Sequence, residues 1–157
     1  MQTDEIITFE QSIAFAVEKT AIYYRLKAAQ LFNANKYAIT PEQYCVLESL
    51  YHSGDEEVCQ RDISKKILKD RSNTSRILNI LEDKGFISRT INTKQKRLVK
   101  TVEITQEGKV LYARISPEIK DAFLQTVDGV LDEELFIVKK VLERIRENLS
   151  KETTIQI

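Results

Sequence analysis

The sequence predicts a mainly helical α+β chain with one small β-hairpin, on three observations. Apolar residues recur at helical spacing over most of the 157 residues. Between Phe86 and Ile104 that period gives way to β-prone runs. The charge also changes sign twice. Residues 1–59 hold four Lys/Arg against nine Asp/Glu (net −5), residues 60–100 twelve against four (net +8), and residues 101–157 eight against eleven (net −3). A solvated helix face accounts for a charge run but not for a reversal at both borders. The middle third is therefore expected to turn a cationic face to an anion.

In chain order, residues 5–33 have few breakers and carry Ile6, Phe9, Ile13, Ala16 or Val17, Ala21, Tyr24, Ala28 and Leu31 in helical rhythm. Phe15, Ile22 and Leu26 lie off that stripe, so this helix is expected to have more than one packing partner. After a loop over Asn33 to Ala38, Thr40-Pro41-Glu42-Gln43 opens the next helix with an N-cap Thr, Pro at N1 and Gln at N3. It runs to about Tyr51 and buries Tyr44, Val46 or Leu47, and Leu50, before Ser53-Gly54-Asp55 ends it. Glu57-Val58-Cys59 adds a very short strand.

A short helix then enters near Gln60 and turns Ile63, Ile67 and Leu68 inward. Asp70 offers an N-cap carboxylate to a second helix from about Arg71 to Lys84, stopped by Gly85. Thr74, Ile77, Leu78 and Leu81 make one buried stripe, which leaves Ser72, Asn73, Ser75, Arg76 and Asn79 outside. Two helices, a tight turn, and small polar residues with an Arg at the exposed start of the second describe a helix-turn-helix. Any helical pair in a core is the plainer reading, but it does not explain that polar cluster. Phe86–Ile91 and Leu98–Ile104 flank the basic stretch 92–97 as a hairpin, placed to act as a wing beside the second helix. An ordinary Lys-rich surface hairpin is the bland alternative.

Thr105 caps a long helix in which Pro117 is expected to cause a kink or break near Ser116, and Asp128-Gly129 marks a further bend. Leu131, Leu135, Val138, Leu142, Ile145 and Leu149 then recur at 4, 3, 4, 3, 4, an a/d seam that asks for a partner helix. The expected organisation is an N-terminal dimerisation helix (1–34), a winged helix-turn-helix domain (35–105) and C-terminal dimerisation helices (106–157). Ile6, Phe9 and Ile13 join the seam as candidate dimerisation residues.

Asp70-Arg71-Ser72-Asn73-Thr74-Ser75-Arg76-Ile77-Leu78, Leu81-Glu82-Asp83-Lys84-Gly85-Phe86-Ile87-Ser88-Arg89, Ile104-Thr105-Gln106-Glu107-Gly108 and Thr40-Pro41-Glu42-Gln43-Tyr44 together resemble the MarR family of bacterial winged-helix regulators. The likeness covers roughly residues 40–110; the ends match in helical character only. It implies a cytoplasmic homodimer with first and last helices interleaved, bound to pseudo-palindromic double-stranded DNA. It further implies a transcriptional regulator, expected to be a repressor, that senses a ligand or redox signal between its dimer and DNA-binding parts. Family wings usually carry an Asp that orients a minor-groove Arg. Here Gln95-Lys96-Arg97 occupies those places, the hairpin is one residue longer when counted back from Thr105, and the Asp is missing.

The candidate contacts follow from chemistry. Ser72, Asn73, Ser75 and Arg76 are placed for base readout, since Arg can bridge guanine O6/N7 and Asn adenine N6/N7. Lys94, Lys96 and Arg97 belong to the wing and minor groove, and Arg61, Lys65, Lys66, Lys69 and Arg89 to phosphates. Cys59 is a candidate redox thiol, with Arg61 near enough in sequence to favour a thiolate, although redox-sensing family members carry their Cys in the first helix, where this chain has none. Tyr23, Tyr24, Tyr37, Tyr44 and Tyr51 are candidates to line a site for a small aromatic or phenolic effector, and packing explains them equally.

Other classes find little support. One His, two Cys (Cys45 and Cys59) and no Gly-rich phosphate loop leave no enzyme constellation, metal centre or cofactor to expect. No apolar run approaches the ~20 residues of a membrane span. The acidic start MQTDEIITFEQ is not expected to be a signal peptide, and the two Cys make no disulfide framework, as in a reducing cytosol. The competing functional class is a winged-helix protein–protein module without DNA.

Overall fold

The computed structural model describes residues 8–94 and 97–152. They form two compact units, Met1–Pro41 and Glu42–Ile157. In the first unit a 3-10 turn at Phe9–Gln11 precedes helix α1, Ile13–Ala34. The single helix expected from residue 5 is thus interrupted. Ser12 sits in extended backbone and its hydroxyl caps α1 by accepting the Phe15 N–H at 3.2 Å. Thr8 and Gln11 close a reciprocal cap on the turn before it. A cap is a stop as well as a start, and the apolar rhythm does not reveal one. Only Ala28 and Phe32 of α1 are buried, while Phe9, Ile13, Tyr23 and Leu26 are mostly exposed.

The second unit carries the sheet. Helix α2 (Pro41–His52) buries Tyr44, Val46, Leu47 and Leu50. Strand β1 (Val58–Cys59), helix α3 (Gln60–Ile67), helix α4 (Arg71–Asp83), strands β2 (Ile87–Lys94) and β3 (Arg97–Ile104), and helices α5 (Gln106–Leu124) and α6 (Asp132–Glu152) follow. The sheet is antiparallel in the order β1-β3-β2, with Val58 opposite Val102 and Ile87 opposite Ile104. Ile63, Leu78, Leu81, Ile87, Val102 and Ile115 are among the side chains almost wholly out of water. The expected stripe of α4, Thr74, Ile77, Leu78 and Leu81, is buried in full.

Two expectations fail here for local reasons. Leu68 does not turn inward; it is the C-cap of α3 at φ 53°, left-handed, with its side chain 73% exposed. The hydrogen bonds of Leu68 and Lys69 N–H to the Ser64 carbonyl fix that turn and rotate Leu68 off the apolar face. Of the kink or break expected near Ser116, the break does not occur, because α5 runs on to Leu124 with Pro117 inside it. Proline forfeits one hydrogen bond, here to the Ala113 carbonyl, and buried Ile115 and Ile119 hold the turns on either side. The bend at Asp128-Gly129 is present, with Gly129 at φ 78° between the 3-10 turn Gln125–Val127 and α6.

Candidate nucleic-acid interface

Helix α3 begins on a reciprocal cap. The Cys59 N–H donates to Asp62 Oδ2 at 3.0 Å, and the Cys59 thiol donates to the same oxygen at 2.9 Å. These bonds hold the Asp62 carboxyl below the usual carboxylate range. The group that meets the candidate redox thiol is thus the Asp62 carboxylate. Lys65 and Lys66 are exposed, as is Arg61, while Lys69 Nζ lies 2.7 Å from Glu42 Oε1 of α2.

Asp70 caps α4 as expected, accepting the Asn73 N–H at 2.9 Å. Its other oxygen accepts from Asn73 Nδ2 at 2.6 Å. Together these bonds lower the Asp70 carboxyl from its ordinary value. With Thr74, Ile77, Leu78 and Leu81 locked inward, helical geometry forces the opposite face out. Ser72, Asn73 and Arg76 are exposed and Ser75 half-buried. Two exposed residues extend this surface beyond the expected base-reading set. Arg71 stands at the first position of α4, and Asn79 continues the Ser72–Arg76 face one turn on. Asn79 falls at i+3 from Arg76, a spacing legible in the sequence once the buried stripe is fixed.

The wing is tied to this helix by an ion pair. Arg89 of β2 donates through Nε to Glu82 Oε2 of α4 at 2.9 Å, and an Nη donates to the same oxygen. The Arg89 backbone N–H reaches Glu82 Oε1 at 3.1 Å. The carboxyl of Glu82 is held below its ordinary value, chiefly by the Arg89 side-chain hydrogen bonds. The guanidinium expected on a phosphate is thereby engaged inside the protein. At the other end of the hairpin the register closes with Lys94 opposite Arg97. Lys96 lies outside the described residues, as does Ile6 among the dimerisation candidates.

The hairpin base is pinned twice. Thr105 Oγ1 donates to the Gly85 carbonyl at 2.6 Å, and the Thr105 N–H donates to the Phe86 carbonyl at 3.1 Å. Gly108 is needed here, since a Cβ would stand 2.2 Å from the Phe86 carbonyl oxygen. Gly85 itself adopts φ 75°, the left-handed stop expected after α4.

The remaining candidates are distributed elsewhere. Tyr44 and Tyr51 meet at Tyr112, a residue of α5 that sequence spacing does not point to. Tyr44 stacks on it at 5.5 Å between ring centroids, and Tyr51 lies 4.4 Å away. His52 Nε2 is 2.9 Å from the Tyr112 hydroxyl. Burial pushes the Tyr44 and Tyr112 phenols up. Tyr23, Tyr24 and Tyr37 belong to the first unit. A cleft of about 530 Å³ is lined by Leu50, Tyr51 and Thr101 together with Glu57, Glu103 and Lys109. No group of three or more His, Cys, Asp or Glu among the described residues is placed to hold a metal ion. No described helix is long and apolar enough to cross a membrane. In and before α6, Leu131, Phe136, Ile137, Val138, Val141 and Leu149 stand exposed, and Leu135, Leu142 and Ile145 are half-buried.

Comparison with known proteins places this geometry. The profile of the MarR family matches residues 39–99. The HTH-type transcriptional regulator PrsX of Escherichia coli is 30% identical over 114 residues, 69% of this chain and 68% of that protein. The HTH-type transcriptional regulator MhqR of Bacillus subtilis is 25% identical over 136 residues, 87% of this chain and 92% of MhqR. Among solved structures, the S. aureus MepR–DNA complex shares the fold with a TM-score of 0.78 at 23% identity, covering 90% of this chain and 99% of that one.

Proposed function

The chain belongs to the MarR family of DNA-binding transcriptional regulators, and from that premise we propose that it is a cytoplasmic repressor acting as a homodimer on a pseudo-palindromic operator. The observation that carries the reading is the outer face of α4. Ser72, Asn73, Ser75 and Arg76 share it with Asn79, inside the one segment of the chain with a net charge of +8. Small polar side chains and an Arg on a helix backed by a fixed apolar stripe suit the edges of bases in a major groove. Arg61, Lys65 and Lys66 are exposed candidates for phosphates, and Arg71 joins them. Lys69 and Arg89 would have to exchange Glu42 and Glu82 for a phosphate, which makes them the weaker members of that set. Lys94, Lys96 and Arg97 are assigned to the minor groove at the wing.

Dimerisation through α6 and the start of the chain is supported by the apolar residues left in water, among them Phe9, Ile13, Leu131, Phe136 and Leu149. A small aromatic effector would contact Tyr51, the member of the Tyr44–Tyr51–Tyr112 cluster with the most exposed surface. Cys59 remains a candidate redox site whose thiol would first have to leave Asp62.

Titration of the purified protein into a fluorescent duplex of random sequence, at roughly 50 and 200 mM salt, tests the core of this reading. Affinity should drop by orders of magnitude between the two, as neutralised phosphates release counterions. Absence of binding at the lower salt would favour the winged protein–protein module instead.

A further inference from the structure

Asp70 does more than a cap requires. One carboxylate oxygen takes the Asn73 backbone N–H at 2.9 Å, which satisfies the cap. The other takes Asn73 Nδ2 at 2.6 Å. A carboxylate can only accept, so the amide nitrogen of Asn73 must face it and the amide oxygen must be turned elsewhere. Orientation of this exposed carboxamide is therefore fixed by chemistry.

The choice of Asp over a neutral cap also needs a reason. Ser or Thr would cap α4 about as well without adding a negative charge to a surface that must approach phosphates. Asp70 is exposed on the segment of net charge +8, with Arg71 beside it and Arg76 on the same helix. The gain that offsets the charge is the second hydrogen bond, made by a second oxygen that a hydroxyl cap does not have. An exposed Asn otherwise samples several rotamers, and binding must then select one at an entropic cost.

We propose that Asp70 is a positioning residue for sequence reading, holding the Asn73 carboxamide so that its oxygen and remaining N–H face a base edge. The matching edge offers a donor beside an acceptor, as adenine does through N6 and N7. This deepens the DNA-reading assignment of α4 and rests on it.

The test starts from the wild-type protein, which is used to select binding sites from a randomised duplex pool. Affinities of wild type, Asp70→Ser, Asp70→Asn, Asn73→Ala and the Asp70→Ser/Asn73→Ala double variant are then measured on one selected duplex and on its scrambled counterpart. Ser keeps the cap hydroxyl, and Asn keeps the shape but presents no second carboxylate oxygen. Both should melt near the wild-type temperature, bind the scrambled duplex as well or better because a negative charge is gone, and lose about five- to tenfold on the selected one. In the Asn73→Ala background, Asp70→Ser should cost no further discrimination. A lost cap alone would lower both affinities together. Equal losses on both duplexes, unchanged discrimination in Asp70→Ser, or an additive double variant would overturn the proposal. A wild-type protein that selects no sequence would overturn the DNA-reading assignment itself, and this inference with it.

Discussion

Arg89 and Glu82 join strand β2 to the last turn of α4 through three hydrogen bonds, two from the guanidinium and one from the backbone. The backbone bond makes the link a statement about chain path as well as charge, since it fixes where β2 leaves Gly85. The side chain of Glu82 is 36% exposed and that of Arg89 21%. Water therefore screens the pair, and it is worth about 0.5–1 kcal/mol rather than the several of a buried one.

Glu82→Gln should accordingly lower the melting temperature by about 1–4 °C at pH 7. The carboxyl of Glu82 is held below its ordinary value in the folded chain, so its contribution is fully present above the unfolded value, about 4.3, and is lost as pH falls through the lowered one. The gap between wild type and variant should thus close towards pH 3. Calorimetric scans at both pH values check this, and a gap that persists undiminished in acid would mean the pair does not carry the difference.

Arg76→Ala and Arg97→Ala should fail differently on DNA. Arg76 is exposed on the outer face of α4, the face proposed to meet bases, so its loss should cost roughly 1–3 kcal/mol on a selected site and little on a scrambled duplex. Arg97 stands where the wing register closes, opposite Lys94. Its loss should weaken both duplexes and reduce the salt slope by about one. Fluorescence anisotropy at several salt concentrations separates the two; identical profiles would erase the distinction between base and wing contacts.

How far the sequence announced these features depends on which physics wrote them. The α4 stripe, the Asp70 cap, Gly85 and the Thr105 start were legible because each depends on a few neighbouring residues. Leu68 was misplaced because a left-handed C-cap rotates a side chain that simple periodicity assigns inward. Tyr112 was missed because its meeting with Tyr44 and Tyr51 spans some sixty residues of chain and is decided by packing. The pairs Lys69–Glu42 and Arg89–Glu82 were likewise hidden, since a count of cations does not say which already have a carboxylate at hand.

Removal of α6 should expose the basis of assembly. A chain ending at Asp128 lacks the exposed Phe136, Ile137, Val138, Val141 and Leu149, which on their own are poorly suited to water. It should run as a monomer or be poorly soluble, and lose specific DNA binding with residues 60–100 intact, because two half-sites need two linked copies. Light scattering with a binding titration tests both parts. A soluble monomer with full affinity would show that α6 does not build the dimer.

The double pin of Thr105 on the carbonyls of Gly85 and Phe86 has a consequence for the hairpin. The hairpin leaves and returns at fixed points, and between them Arg89 holds its first strand to Glu82 while Val102 pairs its second with Val58. Closing a slightly longer loop between fixed ends costs only a few tenths of a kcal/mol. A residue added beyond the Lys94–Arg97 pair therefore leaves those pins, and α4, where they are. On the proposed reading, the wing can then change affinity while α4 keeps its sequence preference.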